Sequence, residues 1–209
     1  MIRAVLLDAL GTLVALEPPA PRLAAALGAD PDERIARAVR SEMAYYRRHS
    51  HEGRDARSLA ELRERCAAIV SRELDREVGV ATLMSAIRFR AFPDAAPALA
   101  ALRERRVRLV CVSNWDCSLD DVLERAGLRA LLDGVITSAA TRARKPDAAI
   151  FAAALRLAGC EAKDAIHVGD TPAEDVAGAA AAGIRTLLID REGAGDIASL
   201  LKIVDYLAP

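Results

Sequence analysis

The 209-residue sequence has little that would tie it to an oxidising compartment, a membrane or a nucleic acid. Its four cysteines, Cys66, Cys111, Cys117 and Cys160, form no CxxC pair, so neither a disulfide framework nor a zinc site is expected. No long apolar run is present; Ile2 to Leu7 is far too short for a span, and no leader-like pattern opens the chain. The formal net charge is −1, which gives no sign of a nucleic-acid footprint or an anionic-membrane surface. The expectation is a soluble, cytoplasmic protein. Lysine is scarce as well. Of 29 basic residues only Lys145, Lys163 and Lys202 are lysines, so each lysine carries more information than usual.

Short apolar runs of strand length recur at 2–7, 107–112, 134–137, 165–168 and 185–189. Helical patterns lie between the later ones. The segment 118–126 opens with Ser118 as a cap, 147–158 follows Lys145-Pro146, and 171–182 opens with Thr171, Pro172 and Glu174. Gly127, Gly159 and Gly183 stand where these helices should stop. Strands alternating with helices imply an α/β fold with a parallel sheet covered on both faces, an α/β/α sandwich. The stretch 17–90 breaks the alternation. It reads as helix from Asp30 to His49 and again from Arg57 to Glu77, with a loose Pro/Ala segment at 17–26 and no convincing strand. The expected organisation is a core of 1–16 and 91–209 with a helical cap at 17–90.

Four chemically useful points fall at strand ends, in the order Asp8, Ser113, Lys145 and Asp170. In an open parallel sheet ligands bind beyond the carboxyl ends of the strands, so these residues can converge. Their types suit phosphate chemistry. Asp8 can act as a nucleophile. Ser113 and Asn114 can donate to phosphate oxygens, and Lys145 can offset charge. Asp170, in GDTPAED, can hold Mg²⁺ beside the nucleophile, with Asp175 as a further carboxylate. The neighbours Arg142 and Arg144 show that arginine is the local default, which favours a specific use for Lys145.

DALGTL, VSN, KPD and GDTPAED, at this order and separation, resemble the haloacid dehalogenase-like hydrolase superfamily from the first strand to about residue 190. The resemblance implies a Rossmann-like core with a helical cap. It also implies catalysis by Asp8 and Lys145, and substrate contacts from Thr12, Ser113 and Asn114. It further implies a Mg²⁺ site formed by Asp8, the backbone carbonyl of Leu10, Asp170 and Asp175. The substrate implied is a small phosphorylated metabolite. Leu10 departs from the phosphatase pattern, which has a second aspartate there for proton transfer to the leaving group and activation of water. General acid–base help is worth ~10²–10⁴-fold.

Two other readings follow from Leu10. Haloacid dehalogenases lack that aspartate because halide leaves unprotonated; they use a cap arginine, for which Arg40 is the candidate. A binding or regulatory protein that kept the pocket and lost turnover is the other. A phosphonoacetaldehyde hydrolase is set aside, because no lysine precedes Lys145 to serve as a cap Schiff base. His49 and His51 read as an exposed helix end and His167 as a core-strand residue. Trp115 shapes the pocket or packs under the cap. The sequence carries nothing on oligomeric state.

Overall fold

The computed structural model describes residues 1–207. Five parallel strands form the main sheet: β1 (Ala4–Leu7), β4 (Arg108–Ser113), β5 (Gly134–Thr137), β6 (Ala165–Gly169) and β7 (Arg185–Leu188), in the order β5-β4-β1-β6-β7. β1 is central and every residue in it is buried. Strand alternation sends Val5 and Leu7 to one face and Ala4 and Leu6 to the other. On the first face they meet Leu99 and Leu102 of α5 (Ala95–Glu104) and Leu119 and Leu123 of α6 (Leu119–Arg125). On the second they meet Ile150, Phe151 and Ala154 of α8 (Ala148–Ala158) and Ala179 of α9 (Ala177–Ala181). This is the expected three-layer α/β/α sandwich, and all five expected strands are present within two residues at each end. A short helix, α7 (Ser138–Thr141), follows β5.

The strand order reverses direction beside β1. The chain goes outward to β4 and β5, then returns to place β6 on the other side of β1. A crevice at such a switch point is where open parallel sheets bind ligands. Asp8 follows β1 and Asp170 follows β6, so the two flank it.

Between β1 and β4 the chain leaves the sheet through β2 (Val14–Leu16), which pairs antiparallel with β3 (Phe89–Ala91). This ribbon was not expected: β3 lies at the edge of the stretch read as free of strands, and three residues are too few to show alternation. Between its strands lie α1 (Pro19–Ala26), α2 (Glu33–His49), α3 (Ala56–Leu74) and α4 (Val80–Ala86). The Pro/Ala segment expected to be loose is therefore largely helical: the proline at its N-terminus needs no N–H partner, and Leu23 and Ala24 are fully buried. The four helices have their own core, with Ile35, Ala38 and Val39 packing on Leu62, Cys66 and Val70 at helical spacing.

Two expected caps are not made. Neither Ser118 nor Thr171 accepts a capping hydrogen bond through its side chain. Asp116 Oδ1 takes the Ser118 N–H at 2.7 Å, and Asp175 Oδ2 takes the Thr171 N–H at 3.0 Å. The expected 171–182 helix also begins as a single π turn, Pro172–Val176, before α9. Such turns recur at functional sites.

One polar hub fixes the loop after β1. Asp94 accepts both Nη1 contacts of Arg191 (3.0 and 3.1 Å), the Ser199 hydroxyl (2.7 Å) and the Leu200 N–H (2.8 Å). Arg191 in turn donates to the Thr12 carbonyl at 2.8 Å and lies over the Phe92 ring. Burial opposes ionisation of Asp94, but the bonds from Arg191, Ser199 and Leu200 prevail and hold its carboxyl below the usual range. A lowered folded value means that its contribution is present above the unfolded pKa of about 3.9 and is lost as pH falls through the folded value. We expect Asp94→Asn to cost about 1–3 kcal/mol at neutral pH by urea denaturation. The gap from wild type should narrow below about pH 4; an unchanged gap there would remove the charged contribution.

Candidate active site

Lys145 organises the site. Its side chain is 2% exposed, yet its ammonium is fully engaged. Nζ donates to Asp8 Oδ1 and to Asp175 Oδ1, each at 2.5 Å. Burial alone would drive a lysine toward neutrality, but here the charges of Asp8 and Asp175 prevail and raise its pKa. Asn114 sets the lysine backbone: its Oδ1 accepts the Lys145 N–H at 2.8 Å and its Nδ2 donates to the Lys145 carbonyl at 3.1 Å.

Asp8 leaves the sheet with its N–H still bonded to the Val168 carbonyl at 2.9 Å, which aligns the ends of β1 and β6. Ser113, at the end of β4, donates its hydroxyl to Asp8 Oδ1 at 3.0 Å. Oδ1 is thus doubly engaged, while Oδ2 takes no hydrogen bond among the described residues. Burial pushes the Asp8 carboxyl well above the ordinary carboxylate range, against the pull of Lys145.

Asp175 is the third buried partner. Oδ1 also meets His167 Nε2 at 2.9 Å, and Oδ2 takes the Thr171 N–H. Burial opposes its charge, but His167 and Lys145 prevail and hold its pKa below the usual range. His167 is a fully buried strand histidine, as expected, and burial lowers its pKa. Its contact with Asp175 was not foreseen, since nothing in AIHV marks which neighbour an inward histidine will meet.

Asp170, by contrast, is exposed at the cavity. Its Oδ1 accepts the Thr171 hydroxyl at 3.1 Å, and burial followed by the charge of Asp175 raises its pKa. Two glycines make room for the carboxylates. Gly11 has φ +86°, and a Cβ there would come within 1.9 Å of Asp170 Oδ2. A Cβ on Gly169 would lie 2.1 Å from Asp175 Cγ.

Oxygens of Asp8, Asp170 and Asp175 lie within 4.8 Å of one another, the only such acidic, histidine or cysteine cluster among the described residues. Three carboxylates against one ammonium leave an excess of two negative charges, which a hard divalent cation matches. Asp8 Oδ2 and Asp170 Oδ2 take no hydrogen bond among the described residues, so these carboxylates fit Mg²⁺ as donors. Both oxygens of Asp175 are committed to protein partners, which makes it the orienting group for Lys145 first.

A cavity of about 870 Å³ opens above these groups, between the sheet ends and the cap. Asp8, Leu10, Ser113, Asn114, Lys145, Asp170 and Asp175 all line it. Two expected residues do not. Thr12 is fully buried behind the loop, with its hydroxyl unpartnered. Arg40 points from the exposed face of α2 to Glu33 at 2.5 Å, because the inward stripe of that helix runs through Ile35, Val39 and Glu42 instead. The cavity arginines are Arg47, Arg63, Arg88, Arg125 and Arg144. His49 is half-buried rather than exposed, stacked on Tyr45 and 2.8 Å from Glu52. Trp115 is buried at the base of the cavity, against Phe89 of the ribbon. No helix among the described residues is long and apolar enough to cross a membrane.

Sequence reading missed Glu42, Asp116 and Glu174. Asp116 Oδ2 accepts the Tyr46 hydroxyl at 2.8 Å, and Glu174 accepts Asn114 Nδ2 at 2.9 Å. For Glu42 a signal existed: it occupies the apolar stripe of α2, three and four residues on from Val39 and Ala38.

Comparison with known proteins identifies the family. The profile of the haloacid dehalogenase-like hydrolases matches residues 2–183. The haloacid dehalogenase-like hydrolase domain-containing protein 3 of Bos taurus is 43% identical over 91 residues, covering 44% of this chain and 36% of that protein. The phosphoserine phosphatase of Thermus thermophilus is 34% identical over 120 residues, 57% of this chain and 48% of that enzyme. The aligned stretches thus span between about a third and a half of these curated relatives. The structure of the L-2-haloacid dehalogenase of Xanthobacter autotrophicus superposes with a TM-score of 0.72 at 25% identity, over 91% of this chain and 78% of that one. The chain belongs to the haloacid dehalogenase-like hydrolases.

Proposed function

We propose that the protein is a Mg²⁺-dependent phosphohydrolase acting on a small phosphorylated metabolite through an aspartate nucleophile. The observation that carries this reading is the buried Lys145 ammonium between Asp8 and Asp175, with the free oxygens of Asp8 and Asp170 facing the cavity above it. A site with fixed positive charge and room for a divalent cation suits a phosphoryl group. The phosphoserine phosphatase relative supports the same class. The division into a core of 1–16 and 91–209 and a cap of 17–90 belongs to this reading: the cap closes over the substrate.

In this mechanism the Asp8 carboxylate attacks phosphorus, the P–O bond to the leaving group breaks, and water then hydrolyses the aspartyl phosphate. Lys145 and the Ser113 hydroxyl hold Asp8 in place and bear on the transferring oxygens. When bound, Mg²⁺ held by Asp8, Asp170 and the Leu10 carbonyl supplies neutralisation of the phosphoryl charge. Asn114 holds the lysine backbone in register. We expect Asp8→Asn to lower kcat by more than about 10³-fold on a phosphate ester panel. Chelation should abolish wild-type turnover and added Mg²⁺ restore it. Undiminished hydrolysis by the variant would end the covalent route.

Leu10, at the cavity wall, supports a second reading as a dehalogenase, since a halide needs no proton on leaving. Chelator-resistant halide release from a 2-haloacid would favour it. Under the phosphohydrolase reading, Leu10→Asp should raise kcat on alkyl phosphates by about 10²-fold or more. The gain should be much smaller on an aryl phosphate, whose leaving group departs without help. Equal effects on both esters would mean that leucine does not limit proton transfer.

A further inference from the structure

A buried carboxylate in the cavity has no part in the chemistry just described. Glu42, on α2, is 6% exposed and lines the cavity wall. It sits in the stripe Ile35, Ala38, Val39, Glu42, where the packing of α2 on α3 calls for an apolar side chain. Five arginines line the same cavity, yet none is within ion-pair distance of Glu42, and no other basic group among the described residues is either. Among the other carboxylates at the cavity, Asp8 and Asp175 share Lys145 and Glu174 meets Asn114 and Arg144, while Asp116 and Asp170 accept the hydroxyls of Tyr46 and Thr171. Glu42 has only the Cys66 thiol beside it, and burial raises its pKa.

A largely buried carboxylate at a cavity wall without a cation loses much of its hydration once a ligand fills the cavity, and a ligand that brings a cation offsets that loss. Tyr46 lies one helical turn beyond Glu42 and reaches Asp116, three residues past the Ser113 that bonds Asp8. Glu42 therefore faces the same cavity from the cap side, while Asp8 and Lys145 face it from the sheet.

We propose that Glu42 is a specificity residue that receives a protonated amine on the substrate, so that the preferred ligand carries an anionic ester at one end and an ammonium at the other. This rests on the phosphohydrolase reading for the anionic end. A neutral analogue of the same length leaves Glu42 buried and unpaired, and is disfavoured for that reason. A charge-assisted bond of this kind is worth roughly tenfold or more in affinity.

The test measures binding, not turnover, by titration calorimetry in Mg²⁺ with the Asp8→Asn protein. A ladder of ω-aminoalkyl phosphates is compared with n-alkyl phosphates of matched length. The amines should bind about tenfold more tightly at an optimal length. Glu42→Gln should bring the ratio near one. Glu42→Asp should keep the preference but move the optimum to a longer chain, a shift that a merely structural role would not produce. Equal binding of the two ladders, or a preference that survives Glu42→Gln, overturns the proposal. If no alkyl phosphate binds at all, the phosphohydrolase reading fails. The Glu42 assignment is then decided by n-alkylammonium ions against the matching alkanols, and equal binding of those overturns it.

Discussion

Everything at this site depends on holding one ammonium group out of water. An unpaired buried lysine would lose its proton or force the site open, because desolvating a charge costs several kcal/mol even after relaxation. Lys145 avoids this through Asp8 on one side and Asp175 on the other. Each partner is fixed by something else: Asp8 by Ser113 and the β1–β6 register, Asp175 by His167 and the Thr171 N–H. The lysine backbone is fixed by Asn114. Loops after four different strands are thereby locked to one charge. Removing either carboxylate would leave the other pairing to carry the whole desolvation cost.

The same economy of contacts sets how the cap meets the core. Arg144, beside the buried lysine, reaches the Arg47 and Arg48 carbonyls at the end of α2 (3.1 and 3.3 Å), which are acceptors that the helix itself leaves free. Tyr46 meets Asp116, and the Gly53 carbonyl accepts the Cys117 N–H at 2.8 Å. These polar contacts tie the cap to the core beside the cavity, and the cap's own hydrophobic cluster reaches it as well: Cys66, Met43 and Tyr46 belong to that cluster and line the cavity. Packing that holds the helices together therefore shares side chains with the surface that faces a ligand, and Glu42 stands among them on the inward stripe of α2.

The sheet and the cluster of Asp8, Ser113, Lys145 and Asp170 at its edge were legible in the sequence for one reason. Strand ends can be read from short apolar runs, and the chemistry of this fold sits at strand ends. Lys145 stood out because arginine is the default here. Where information lies in helix rotation instead of strand termini, the reading failed. Arg40 has the right charge in the right helix but faces solvent, and Glu42, two residues on, faces in. The apolar period of α2 contained that answer. The β2–β3 ribbon, the π turn and the links from His167 to Asp175 and from Arg191 to Thr12 were not legible, because each depends on a partner far away in sequence or on a local register that no residue type dictates.

Under the phosphohydrolase reading, a leucine at position 10 separates two jobs that one residue can do. A backbone carbonyl is independent of the side chain, so on that reading it stays available to a cation. Proton delivery needs an acid side chain, and the groups bonded to the Asp8–Asp175 pair offer no substitute. Lys145 is held protonated by two carboxylates and so is a poor proton donor. His167 lies beneath the site, fully buried, with Nε2 committed to Asp175. On the same reading the Asp8 carboxyl is the attacking group itself. The proton balance therefore falls on the substrate: the better the leaving group bears negative charge, the less the site loses by having a leucine there.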